Sequence, residues 1–186
     1  MSFVRCQFRS NTSANSGGAI LDMADGLFMD DCVVVGNSAA AGGGIHGESS
    51  TIINCTIAEN SATAFAAGLF VSGTLTLTNS ILWGNAHNNS LTQADQIVSG
   101  PMNNVNHCDI QGLIASPFTG SLGGTGNIGN IVLFDGPLIG DFHLQPGLFC
   151  INAGDNSAVP AGLTTDLDGK PRIQGIAVDM GAYESQ

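Results

Sequence analysis

Apolar and polar positions along the chain follow one template that repeats about every 25 residues. Each copy has an anchor cysteine or serine, an apolar residue three positions before it, another two positions after it, and an asparagine five positions after it. The spacings between anchors are 26, 23 and 25 residues, and the anchors are Cys6, Cys32, Cys55 and Ser80. Such periods are typical of solenoids, whose repeats bury their apolar faces by stacking on one another.

The positions within each copy predict how one coil is built. Strict alternation of apolar residues breaks just before the anchor, which indicates a corner between two short strands that both point inward. A glycine-rich or alanine-rich motif then precedes a third strand, as at Gly17-Gly18-Ala19-Ile20 and Gly42-Gly43-Gly44-Ile45. The pattern predicts an all-β fold, a parallel β-helix with three short strands per coil and a rise of about 4.8 Å per coil.

Two columns of identical residues should run along the stack. The asparagines tolerate a left-handed corner, and their amides can both donate and accept, so they should form a ladder. The cysteines share an inward column in which they act as small apolar filler, and we expect free thiols because side chains in register hold their Cβ atoms too far apart for easy bridging. The ladder comprises Asn11, Asn37, Asn60 and Asn85, and the inward column comprises Cys6, Cys32, Cys55, Ser80 and Cys108.

The template ends before the chain does. The segment 86–102 is polar and longer than a corner, which indicates a loop leaving the helix, and the chain after Ile110 is rich in glycine. We therefore expect regular β-helix coils over 1–110 and an irregular continuation and C-terminal cap over 111–186, in one continuous domain. A cap would protect the strand edges of the last coil.

Charge excludes some classes of partner. Fifteen acidic and four basic residues give a formal net charge of -11, so the cations that bind nucleic-acid phosphates are missing and anionic membranes are disfavoured. The sequence has no run of eighteen apolar residues, which a membrane-spanning helix would need, and its N-terminus lacks the pattern of a signal peptide. Because the template already begins at Phe3, we expect the natural protein to extend upstream.

The sequence does not decide whether the protein is an enzyme, although it favours a protein without catalytic activity. Glycoside hydrolysis needs two carboxylates, and the dense acidic cluster is Asp22, Asp25, Asp30 and Asp31. A solvated corner is the competing interpretation of that cluster. A lyase site lacks a basic groove, and the one outward aromatic residue that the template indicates is Trp83.

Metal and cofactor sites have weak support. The cysteines and histidines lack the spacing of a zinc site. Asp166 and Asp168 precede Gly169 as in a calcium loop, but the later ligands of an EF-type loop are missing, so the alternatives are a turn and a calcium site. We expect no other cofactor.

The motifs also resemble known proteins. Phe8-x-x-Asn11 and Gly17-Gly18-Ala19-Ile20 resemble the repeats of polymorphic outer-membrane, autotransporter-like β-helix proteins. The C-terminal phrases resemble those of bacterial secreted β-helix proteins that end in a choice-of-anchor domain; they are Asn79 to Asn85, Asp109 to Gly112, Gly140 to Gly147, Cys150 to Asp155, Asp166 to Arg172 and Asp179 to Glu184. The resemblance implies a right-handed parallel β-helix, export to an extracellular or cell-surface location, and no defined reaction.

Two hypotheses about function follow. The first is a non-catalytic cell-surface or extracellular module, adhesin-like or structural, whose partner is a glycan or another cell-surface protein. The second is a carbohydrate-active β-helix, related to polysaccharide lyases or glycoside hydrolases, that uses the acidic cluster. The open N-terminal coil also predicts a homo-oligomer formed by end-to-end pairing.

Overall fold

A computed structural model describes residues 1–24, 26–100, 102–113, 122 and 124–185. It is a parallel β-solenoid of about four turns, which confirms the predicted fold class. In chain order the elements are β1 (Ser2–Val4), β2 (Gln7–Arg9), β3 (Ile20–Asp22), β4 (Leu27–Asp30), β5 (Val33–Val35), β6 (Ser38–Ala41), β7 (Ile45–Gly47), β8 (Ser50–Ile53), β9 (Thr56–Ala58), β10 (Ser61–Phe65), β11 (Leu69–Val71), β12 (Thr74–Thr78), β13 (Ile81–Trp83), β14 (Ala86–His87), α1 (Gln93–Gln96), β15 (Ile97–Ser99), β16 (Met102–Asn106), β17 (Asp109–Ile110), β18 (Phe134–Gly136) and β19 (Asp141–Leu144).

The strands stack into four parallel sheets. Sheet A has the order β1-β4-β8-β12-β16, sheet B β2-β5-β9-β13-β17, sheet C β14-β10-β6 and sheet D β15-β11-β7-β3. A complete coil therefore has four strands, and the predicted number of three was one too few. The missed strands form sheet C, whose members follow the asparagine column and are made of small residues such as Ser38-Ala39-Ala40-Ala41, which carry little apolar periodicity.

The register confirms the anchor column. Gln7 pairs with Val33, Val33 with Thr56, Thr56 with Ile81, and Ile81 with Asp109, so the anchors that precede these residues stack in the predicted order. The inward residues of all the coils form one core, and every member of its central part is fully buried; that part contains Leu27, Met29, Cys32, Val34, Ile45, Ile52, Cys55, Ile57, Leu69, Leu75, Leu77, Leu82, Val105, Cys108 and Ile110.

The asparagine ladder is confirmed. Nδ2 of each asparagine donates to Oδ1 of the next, from Asn11 to Asn37, from Asn37 to Asn60 and from Asn60 to Asn85, at 2.8–2.9 Å. The last asparagine donates to Oε1 of Gln96 in α1 at 2.8 Å, and the Gln96 amide donates back to the Asn85 carbonyl. The ladder thus ends on a glutamine that the sequence pattern did not reveal.

The conformational explanation for those asparagines was wrong. The left-handed residues are the ones just before them, such as Ser10 and Glu59, and the ones just before the anchors, such as Asn54 and Asn79. The ladder asparagines are selected by their hydrogen bonds, because Oδ1 of Asn37, Asn60 and Asn85 also accepts from the backbone N–H of the preceding ladder residue, at 2.9–3.1 Å.

The anchor column does more than fill space. The backbone N–H of Cys55 donates to Oγ of Ser80 at 3.1 Å, and that hydroxyl donates to the carbonyl of Thr78 at 2.8 Å. The cysteines repeat the pattern, since the N–H of Cys6 donates to Sγ of Cys32 at 3.4 Å. All five cysteines are free, as predicted.

Residues 131–185 form a segment, called the tail below, that lies along the outer face of sheet B. Outward residues of that sheet form a second core with the tail, which comprises Val33, Val35, Ala58, Ile81, Val132, Phe134, Phe142, Leu144, Cys150, Met180, Ala182 and Tyr183. This packing explains why β5 reads Val-Val-Val, because a strand covered on both faces has a continuous apolar sequence. The tail begins with the antiparallel hairpin β18-β19.

Candidate functional site

The predicted acidic cluster is buried and divided between two corners. Asp22 is 3% exposed at the end of β3, where Oδ1 accepts from the N–H of Ala24. Asp30 and Asp31 lie together at the end of β4 and are 0% exposed. Asp25 lies outside the described residues. The interpretation as a solvated corner was wrong for Asp22, Asp30 and Asp31, because all three are buried. Asp30 and Asp31 are buried because the tail packs against the solenoid at their corner.

An arginine from the tail occupies this corner. Arg172 is 1% exposed, and its guanidinium lies 3.5 Å from Oδ1 of Asp31 and 3.9 Å from Oε2 of Glu184. Its Nη2 also donates to the carbonyls of Asp179 and Gly181 at 2.8 and 2.9 Å. We call Asp31, Arg172 and Glu184 the buried ion cluster; it joins the tail to sheet A.

Burial changes the protonation of these carboxyl groups. It raises the pKa of Asp31 to about 8, against the opposing effect of Arg172, and raises the pKa of Glu184 to about 7. Burial also raises the pKa of Asp30 to about 6, although a hydrogen bond from Asn54 opposes the shift. One guanidinium therefore does not keep all of these groups ionised at neutral pH, because desolvation of the charged form outweighs it.

Asp30 belongs to a second amide ladder that also reaches the tail. Nδ2 of Asn54 donates to Oδ1 of Asp30 at 3.0 Å, and Nδ2 of Asn79 donates to Oδ1 of Asn54 at 3.1 Å. Asn79 then donates to the carbonyl of Asp155 and accepts from its N–H at 2.7 Å. The position of Asp30 is thus explained by contacts within the protein.

The two candidate calcium ligands face different partners. Oδ1 of Asp166 accepts from the N–H groups of Asp168 and Lys170, and Oδ2 accepts from the N–H of Glu184 at 2.9 Å. Asp168 points instead to Nε2 of His143, at 2.9 Å. Within the described residues, no group of three or more histidine, cysteine or acidic side chains is arranged to hold a metal ion.

A groove of about 640 Å³ opens between the hairpin β18-β19 and the end of the tail. His143 lies at this groove with Nδ1 2.5 Å from Oδ1 of Asp141 and with its ring 4.1 Å from that of Tyr183. Burial disfavours the imidazolium, but Asp141 and Asp168 outweigh it and raise the pKa of His143. Both ring nitrogens already have carboxylate partners, so the arrangement is suited to holding the hairpin against the rest of the tail. No sequence pattern marks the contact between His143 and Asp168, because the two residues are 25 positions apart in an irregular region.

An outward row of apolar side chains crosses sheet D. The central residues of its four strands are in register: Leu21 pairs with His46, His46 with Phe70, and Phe70 with Val98. Phe65 lies beside this row, with its ring 5.0 Å from that of Phe70, and is 43% exposed. The term sheet D row is used below for the four stacked residues together with Phe65, that is, for Leu21, His46, Phe65, Phe70 and Val98.

The expectation that Trp83 is the one outward aromatic residue was wrong. Trp83 is half-buried and packs against the second core, under the tail. The aromatic side chains on the outside of the coils include Phe65 and Phe70. The sequence analysis missed them because Phe65 falls in sheet C, which was not predicted, and because the template did not assign the outward position of the third strand.

Comparison with known proteins gives one short match. The model of the Chlamydia polymorphic membrane protein (Chlamydia_PMP) repeat matches residues 5–21, the first copy of the template. No curated protein and no solved structure matches the chain significantly. Together with the parallel solenoid, the matched repeat indicates a β-helix protein associated with the cell surface or the outer membrane.

Among the described residues, no helix has both the length and the apolar character that crossing a bilayer requires.

Proposed function

We propose that the chain is a non-catalytic module of a surface-associated protein, adhesin-like in role, that binds a partner through the outside of its coils. The observation that carries this proposal is the burial of the two adjacent carboxylates, Asp30 and Asp31, which are 0% exposed. Acid–base catalysis on a glycan requires carboxyl groups that can reach the glycosidic bond. At this corner the tail occupies the place that a substrate would need.

The contacts of the other ionisable groups support the same proposal. His143 uses both ring nitrogens on Asp141 and Asp168, and Asp166 uses both carboxylate oxygens on backbone N–H groups. These side chains stabilise the internal structure of the tail. By contrast, the sheet D row repeats one outward position in four successive coils, which is the arrangement that an extended binding surface on a solenoid uses.

The test measures turnover and adhesion on the same preparations. The purified chain is incubated with a panel of acidic and neutral polysaccharides, and new reducing ends and unsaturated uronates are measured. Beads coated with the chain are then applied to cultured epithelial cells. We expect no turnover, and adhesion that exceeds that of beads coated with albumin.

The variant Asp31→Asn separates this proposal from the carbohydrate-active hypothesis. Asparagine is close in shape to a protonated aspartate and tolerates the left-handed conformation at this position, so the variant should fold. Polysaccharide cleavage that Asp31→Asn abolishes would establish the enzyme and refute the proposal. Adhesion that stays at the albumin level would also refute it.

A further inference from the structure

The sheet D row has the dimensions of a docking strip. Successive coils are about 4.8 Å apart, so four stacked positions span roughly 14 Å. The aromatic side chains contact each other edge to face, with ring centroids 4.6 Å apart for His46 and Phe70 and 5.0 Å apart for Phe65 and Phe70. Leu21, at one end of the strip, is 46% exposed.

The strands that carry this strip contain no lysine or arginine. The sequence contains no lysine or arginine between Arg9 and Lys170, and all four strands of sheet D fall within that interval. The exposed carboxylate of Glu48 follows β7 by one residue. Burial lowers the pKa of His46, so this histidine adds no positive charge at neutral pH.

We propose that the sheet D row binds a cationic segment of a protein partner. Guanidinium or ammonium groups bind the faces of aromatic rings, here Phe65 and Phe70, and the aliphatic stems of the same side chains cover Leu21 and Val98. The negative charge of the chain attracts such a segment and orients it. This inference rests on the proposed role as a non-catalytic binding module, whose partner class it specifies.

Two other occupants fit the strip less well. A second copy of the chain carries the same net charge of -11, so two sheet D rows would repel each other. A neutral glycan needs hydrogen-bonding groups beside the aromatic rings, and His46 is the one member of the row whose side chain has polar atoms.

The experiment uses a labelled decapeptide of alternating leucine and arginine as the probe. Its binding to the whole chain is followed by fluorescence anisotropy, with a leucine–glutamine decapeptide as the neutral comparison. We expect the arginine peptide to bind more tightly and to weaken with added salt. Phe70→Ala and Phe65→Ala should each weaken binding about tenfold, and Glu48→Gln about threefold.

A control variant lies on the tail. Leu138 is 99% exposed, so Leu138→Ala removes an even more accessible apolar side chain away from the strip and should leave binding unchanged. Equal binding by Phe70→Ala and the unmodified chain, equal binding of the two peptides, displacement of the peptide by a neutral oligosaccharide, or self-association that Phe70→Ala abolishes would each overturn the inference.

The outcomes distinguish this inference from the proposed function. If the peptide does not bind but adhesion is intact, the cationic partner is refuted and the proposed binding module is not. If polysaccharide is cleaved, the non-catalytic module is refuted, whatever the result of the peptide experiment.

Discussion

The coils and the tail bury polar groups by different means. In the coils, amides such as Asn37 and Asn60 bond to identical amides one coil away, so every partner is neutral and the geometry repeats. In the tail, Arg172 lies between carboxylates from two separate parts of the chain, Asp31 and Glu184. The asparagine ladder is therefore insensitive to pH, whereas the buried ion cluster depends on which of its carboxyl groups are protonated.

Breaking the amide ladder at its centre should have the largest effect. In Asn60→Ala the buried N–H and Nδ2 groups of Asn37 lose their acceptor, and the carbonyl of Val34 and Oδ1 of Asn85 lose a donor. We expect the free energy of unfolding to fall by about 3–5 kcal/mol, measured by urea denaturation.

The matched control is Asn11→Ala, at the exposed end of the same ladder. Asn11 donates to one acceptor through its side chain, so this change should cost less than about 1 kcal/mol. Equal losses for the two variants would show that the ladder does not depend on burial.

Removing the arginine should release the tail and leave the coils folded. Arg172→Met leaves Asp31 and Glu184 without their guanidinium, and we expect a loss of about 2–4 kcal/mol. Trp83 is the single tryptophan and packs against the second core, so its fluorescence should shift to longer wavelength.

The control variant is Lys170→Met. Lys170 forms an exposed ion pair with Asp168 at 3.5 Å, so its loss should change the free energy of unfolding by less than about 0.5 kcal/mol. An unshifted Trp83 spectrum in Arg172→Met would contradict the role of the buried ion cluster.

The same comparison predicts the direction of the pH dependence. The folded chain holds the pKa of Asp30, Asp31 and Glu184 above their ordinary values, at about 6, 8 and 7, and the pKa of His143 is also raised. The folded state therefore binds more protons than the unfolded state between about pH 4 and 8, and stability falls as pH rises through this window. We expect the melting temperature at pH 5 to exceed that at pH 8 by roughly 5–10 °C.

Two variants locate the source of this dependence. Asp31→Asn should flatten the pH profile, because Asp31 is the carboxyl group of the buried ion cluster whose pKa is raised furthest. Asn60→Ala should lower the whole profile without changing its slope. A melting temperature that rises between pH 5 and pH 8 would be the opposite of this expectation.

What the sequence could predict follows the same division. The period, the anchor column and the asparagine ladder are visible because stacking requires similar residues at equivalent positions in every coil. The contact between Arg172 and Asp31 joins residues 141 positions apart and occurs once, so no periodicity marks it. The position of the tail had one signal, the uninterrupted Val33-Val34-Val35, which indicates a strand covered on both faces.

The smallest predicted effect concerns the anchor column and distinguishes filling space from hydrogen bonding. Ser80 already occupies this column, where its Oγ accepts from the N–H of Cys55 and donates to the carbonyl of Thr78. Cys55→Ser should reproduce that geometry, since Sγ of Cys55 donates to the carbonyl of Ile53 at 3.0 Å. We expect a loss of less than about 1 kcal/mol in urea denaturation. Cys55→Val keeps an apolar side chain of slightly larger volume but has no hydrogen-bonding atom in that side chain, so it should cost about 1 kcal/mol more than the serine variant. If the valine variant were the more stable of the two, apolar filling alone would account for the cysteine column.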